Sequence, residues 1–311
     1  MEKTKQNPDA KWATLPGSFP GINLHRDEMR IILSRKGFDA QYGGGPSPIL
    51  PNGKMFSLPI PHPMGPKTYQ DIASPIGHLG AVIEKLKPKA ASPQDRAHLD
   101  PDLYPDSLPR HPDWTCCFGQ YGAAQQHLAN QGITAGDLFL FFGWFRCVDN
   151  NLRPLPKQPD LHVIYGWLQI QKVINIGTDI HSTAKQSPAY ADHPHLTHSF
   201  GVNNTLYIAK DKLKIGRQEL DIPGGGVFSQ IDQDRVLTAE GSTRSVWSLP
   251  KWFAHPTPAL SYHRNADKWT PTPKGWELKS APKGQEFVIN TQGRSRPANH
   301  WLKKIFHDQP I

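Results

Sequence analysis

The sequence predicts an α+β fold rich in strand, a curved sheet or partial barrel carrying a few short helices. Three observations lead there. The apolar runs are short and rich in aromatic and β-branched residues, and residues 138–145 (LFLFFGWF) and 161–170 (LHVIYGWLQI) are apolar on both faces, as central strands are. The 31 prolines and 26 glycines are dispersed through 311 residues, a punctuation that excludes an all-helical bundle. Gly143 and Gly166 each precede a tryptophan inside a strand, where a bend or a close backbone approach curves a sheet.

Residues 1–28 are polar and without period, and read as a partly ordered N-terminal extension; residues 29–311 read as a single large domain. Ile31, Ile32 and Leu33 form a β-branched run that delivers Ser34, Arg35, Lys36 and Asp39 to the carboxyl end of a buried strand. The glycines Gly43, Gly44 and Gly45 make the next segment a turn, and residues 49–58 read as two short strands around Asn52-Gly53. Residues 68–86 are weakly helical. Residues 87–113 form a long irregular connection containing His98-Leu99-Asp100-Pro101-Asp102, and such connections are usually functional or mobile. The spacing of Phe118, Tyr121, Ala124 and Leu128, with Gly132 as C-cap, predicts a helix over 118–131 with Gln120 on its polar face. Strands over 138–146, 161–174 and 204–209 build the sheet, and strands within 30–60 and 227–250 join it. A short helix closes the chain, with Trp301, Leu302, Ile305 and Phe306 inward.

Charge and cysteine usage narrow the function classes. Thirty-five Lys and Arg against 27 Asp and Glu leave +8, and residues 241–311 hold eleven of the basic residues against four acidic ones. A polyanionic partner fits that polarised surface. No apolar run approaches the ~20 residues that cross a bilayer, and no leader pattern opens the chain, so a soluble cytoplasmic protein without membrane partners is expected. Three cysteines, two of them adjacent, make neither a disulfide framework nor a CxxC metal site.

Three groups of residues could carry chemistry. Ser34, Lys36 and Asp39 bring together a hydroxyl, a cation and a carboxylate, and with Arg35 and the backbone amides of Gly43, Gly44 and Gly45 they suit a phosphate or sugar; Ser34, Lys36 and Asp39 are the catalytic candidates. Neither the Walker A spacing nor GxGxxG is present, and a solvated tight turn accounts for the same residues. Trp144 and Trp167 could flank a base if their strands are neighbours, with Arg146, Gln169, Arg244 and Gln120 reading its edge; ordinary core packing is the alternative. His193, His195 and Asp192, within the cluster ending at His198, could hold a metal, although no HExxH accompanies them and a polar loop turned by Pro194 explains them equally. No GxSxG elbow or EF-hand is present.

The segments IILSRKGFDAQYGGGPSPILPNGKMFSLPIP, FGQYGAAQQHLANQGITAGDLFLFFGWFR, LHVIYGWLQI and GSTRSVWSLPKWF resemble the nucleotide modification associated domain family, third type, over about residues 29–306. The resemblance implies a place in phage or bacterial systems that make or use modified bases, hence a nucleotide or nucleic-acid partner, DNA before RNA. It carries over no catalytic set and no cofactor. Residues 134–209 also resemble, in pattern, the PUA, ASCH and EVE barrels, which bind RNA or modified bases in an aromatic pocket; residues 87–113 and 241–311 depart from that pattern. The expected function is nucleotide or base modification in an aromatic and basic pocket. A non-catalytic reader of modified bases and a metal-dependent hydrolase using the histidine cluster stay open beside it.

Overall fold

The computed structural model describes residues 28–281 and 284–309, so the expected extension lies almost wholly outside the described residues. Strand β1 (Ile31–Arg35) is followed by β2 (Ser47–Ile49), β3 (Ile60–Pro61), β4 (Lys67–Thr68), helix α1 (Leu79–Leu86) and β5 (Arg96–His98). The Asn52-Gly53 turn forms as expected: Gly53 adopts φ 80°, and the Leu50 N–H donates to the Lys54 carbonyl at 2.8 Å. Strand β6 (Cys117–Gln120) leads into α2 (Gly122–Asn130), then come β7 (Leu138–Cys147) and β8 (Leu161–Asn175). The expected helix therefore starts four residues late, because Phe118 and Gln120 pair with Tyr207 and Thr205 in a strand; tertiary pairing overrides the helical spacing. Helices α3 (Ile180–Gln186) and α4 (Pro194–Thr197), strands β9 (Thr205–Ala209), β10 (Lys212–Ile215), β11 (Gln218–Pro223), β12 (Gly225–Val227), β13 (Val246–Pro250), β14 (Trp269–Pro271), β15 (Gly275–Lys279) and β16 (Glu286–Ile289), and helix α5 (Ser295–Ile305) complete the chain.

The principal sheet has eight strands in the order β16-β1-β7-β8-β9-β6, with β12 also pairing β8 and β2 also pairing β7. β1 and β2 run parallel to β7 along successive stretches of its ten residues, which is why that strand reads as unbroken apolar sequence. Of the segment 227–250, Val227 at the end of β12 and a bridge from Val236 to Val163 of β8 join this sheet; β13 belongs to a separate three-stranded sheet with β14 and β15.

The register sorts the side chains onto two faces. Ser34 is level with Phe141 and Glu286, and Phe118 is level with Tyr207, so Ile32, Ser34, Phe139, Phe141, Glu286, Phe118 and Gln120 share one face. β6 and β16 stand at opposite ends of the strand order, yet Gln120 reaches Glu286 at 2.6 Å and the Phe118 ring lies 5.0 Å from that of Phe139. The sheet is thus curled into a trough with this face inside. Among the described residues no ladder joins β6 to β16, so the barrel stays open. Leu33, Arg35, Phe142 and Trp144 alternate onto the convex face, where Phe142 packs on Trp247 and Phe287.

Candidate functional site

At one mouth of the trough, alternation along β1 places the Ser34 hydroxyl inside, and the chain just beyond the strand brings Lys36 over it. Both meet Glu286, the first residue of β16. Lys36 Nζ donates to Glu286 Oε1 at 2.9 Å, Ser34 Oγ donates at 3.1 Å and Gln120 Nε2 donates at 2.6 Å. The Lys36 ammonium also sits 4.8 Å from the centre of the Phe118 ring. Glu286 is 1% exposed, and its second oxygen, Oε2, is buried without a hydrogen-bond partner. A buried carboxylate is tolerated only when paired, so Lys36 is the condition for Glu286 being there. Exposed Tyr262 packs its ring edge-on to Phe287, the neighbour of Glu286, whereas the ring of Tyr121, the residue after Gln120, turns to Phe200 and His195 at 4.6 and 5.8 Å. Tyr262 holds φ 63°, a conformation rare for an aromatic residue, and stacks 4.4 Å from the His127 ring.

Beside this mouth lies a second group, joined to it through β6. Residues 100–102 cover the free edge of β6: Asp102 pairs with Cys117, and Asp100 Oδ1 accepts from the Gly119 N–H at 2.7 Å. Asp100 Oδ2 then faces His98 Nε2 and His195 Nε2, each 3.6 Å away, and Oδ1 faces His193 Nε2 at 3.4 Å. Pro194 at the start of α4 turns the chain so that His193 caps the helix and His195 points inward, and Gly119 is required where the ring lies: a Cβ there would meet the His195 Cδ2 at 2.3 Å. Burial opposes ionisation of Asp100, but His193 and His98 beside it outweigh burial and hold the carboxyl well below its ordinary range. Burial pushes His195 down to about 3, so that its imidazole is neutral at physiological pH. Phe200 stacks on His195 at 4.5 Å, and His62 and His198 complete the rim around Phe200.

Of the residues expected from sequence, Ser34, Lys36 and Gln120 converge. Arg35 does not join them, because neighbouring residues of a strand face opposite ways; its guanidinium lies over the Phe142 and Phe287 rings on the convex face. Asp39 accepts from the N–H groups of Gln41 and Tyr42 at 2.7 and 2.6 Å, and Gly43 and Gly44 supply left-handed turn conformations, so this segment is organised as a turn; Gly45 has open space around it. Trp144 and Trp167 form no slot. Their strands are neighbours, but the register sets Trp144 opposite His162 and Trp167 opposite Leu140, well apart along the pair. Trp167 is core, packed on Phe228 and Phe306 with its Nε1–H on the Pro223 carbonyl. Arg244 covers the Trp144 ring at 4.0 Å, and Arg146 and Arg244 both pair with Asp160 on the convex side. Gln169 pins β10, its amide bonding the Lys214 carbonyl and N–H. Asp192 is exposed; the carboxylate among the histidines is Asp100.

Local pattern gives no site role to Glu286, places His98 and Asp100 only within a long irregular connection, and gives Tyr121 only a helix position. His98 and Asp100 were legible in principle, since an extended backbone aims residues i and i+2 the same way. Glu286 offers a fainter signal, a lone acid opening a buried strand in a basic region.

A model of the nucleotide modification associated domain 3 family matches residues 30–290, nearly the whole chain. The chain belongs to that family. No curated protein and no solved structure matches it. The family's description ties the domain to nucleotide modification, and the match spans both β1 and β16, the strands that bring Ser34 and Glu286 together. No helix of the described residues is long and apolar enough to cross a membrane.

Proposed function

We propose that this chain acts in the modification of nucleotides or of bases in DNA, as part of a phage or bacterial modified-base system, and that it holds the base at the mouth of the trough where Ser34, Lys36, Gln120 and Glu286 meet. The observation that carries the reading is the buried, unpartnered Oε2 of Glu286. An acceptor left bare in a buried position costs about 1–3 kcal/mol, more when charged, and an amino or imino N–H at the edge of a base would satisfy it. Tyr262 supplies an exposed aromatic ring beside the strand that carries Glu286, and stacking contributes roughly 1–3 kcal/mol per base. In this reading Glu286 takes the carboxylate role first expected of Asp39, accepting a proton from the base edge or from the Ser34 hydroxyl, while Lys36 holds negative charge that develops beside it.

Calorimetric titration with nucleoside monophosphates and short single-stranded oligonucleotides tests this. The double variant Lys36→Met/Glu286→Gln, which removes both charges together, should lose binding, and Trp144→Phe should keep it. Equal binding by the double variant would refute the placement. Binding with no altered nucleoside in any product would favour the non-catalytic reader.

A further inference from the structure

We propose that His98, Asp100 and His195 bind one divalent first-row transition-metal ion, with Asn204, His193 and the Gly119 amide orienting the ligands from behind. One ligand atom from each of the three residues falls within 4.8 Å of the others. A charge-assisted hydrogen bond between imidazole and carboxylate closes to about 2.7–2.9 Å, whereas Asp100 Oδ2 stands 3.6 Å from both His98 Nε2 and His195 Nε2. Bonds of about 2.0–2.1 Å to a common tetrahedral ion would set neighbouring ligand atoms roughly 3.3–3.4 Å apart, close to what is seen.

Asn204 Nδ2 donates to the His195 carbonyl at 2.9 Å, which fixes its Oδ1 as the atom that meets His195 Nδ1 at 2.6 Å. His195 therefore carries its hydrogen on Nδ1 and turns the lone pair of Nε2 toward the Asp100 carboxylate. Two acceptors facing each other across a buried gap repel unless a cation lies between them. His193 is wired the other way: its Nδ1 accepts from the His195 N–H, so Nε2 carries the hydrogen, 3.4 Å from Asp100 Oδ1. That oxygen also accepts from Gly119, leaving Oδ2 as the ligating one. Neutral imidazole held by an amide oxygen, as at His195, and a carboxylate held by a backbone N–H, as at Asp100, are the outer supports that metal ligands need. Two imidazoles and one carboxylate, without sulfur, suit zinc, iron, manganese or nickel rather than copper(I), and leave positions open on the side of His62 and His198.

This inference does not depend on the nucleotide reading, since its test contains no nucleotide. Chelator-stripped protein is titrated with Zn²⁺ against a chromophoric competitor, and with Co²⁺ to count imidazole ligands from the spectrum of the unmutated chain. One equivalent should bind, with two imidazoles on Co²⁺. His98→Ala and His195→Ala should each weaken Zn²⁺ at least a hundredfold, and Asn204→Ala tenfold to a hundredfold. The Asp234→Asn/His307→Ala variant controls for the exposed Asp232, Asp234 and His307 group and should change nothing. Absence of stoichiometric binding by the wild type, a Co²⁺ spectrum without imidazole ligation, or affinity unchanged in folded His98→Ala and His195→Ala would overturn the proposal and leave a proton-sharing histidine cluster.

Discussion

Lys36 and Glu286 are separated by 250 positions in the chain and by 2.9 Å in space, and each is the reason the other can be buried. Lys36→Met should cost about 3–5 kcal/mol, since it strands a buried carboxylate, and Lys36→Met/Glu286→Gln should regain most of that loss; urea denaturation of the two variants checks it. A single variant at Lys36 would therefore confound stability with binding. Ser34 and Lys36 were legible in the sequence because a hydroxyl and a cation flank the end of one apolar run. Their partner was not, because register across 250 residues is invisible to local pattern. Arg35 was misjudged for a simpler reason: the period of two in a strand sends it to the opposite face from Ser34.

The two long central strands were legible almost to their ends, because burial on both faces leaves an uninterrupted apolar run. Strand β6 was not, since Phe118, Tyr121, Ala124 and Leu128 keep helical spacing across a strand-to-helix junction and only pairing with β9 resolves them. The register between β7 and β8 likewise leaves no sequence mark, and it is what separates Trp144 from Trp167. Helix α5 packs Trp301 against Phe253 and is followed by Asp308, whose carboxylate takes two bonds from the fully buried Arg235. Arg235 lowers the Asp308 carboxyl from its ordinary 3.8 to about 2. A depressed folded value means the pair stabilises fully above pH ~4 and is lost as pH falls through about 2. Thermal melts should accordingly show Asp308→Asn less stable than wild type at pH 6, with the gap closing between pH 4 and 2; a gap that persists at pH 2 would assign the effect to packing.

Over the whole molecule, charge is uneven. The net +8 is concentrated after residue 240, where Lys303 and Lys304 lie exposed on α5. Binding of a single-stranded oligonucleotide should then weaken with salt by a log–log slope of about −0.7 per phosphate contacted, and Lys303→Glu/Lys304→Glu should make the slope shallower. Salt-independent binding would remove the backbone from the account and leave a free nucleotide as ligand. The curled sheet explains how residues from both ends of the chain reach one mouth: the first and last strands of the principal sheet, β1 and β16, are neighbours, and curvature carries β6 round to meet them. The most direct measurement on the claim that this mouth serves base modification is the nucleoside profile, by mass spectrometry, of DNA from cells carrying the wild-type gene, the Lys36→Met/Glu286→Gln gene or none. One nucleoside should change in abundance with the wild-type gene alone. Identical profiles in all three would contradict it.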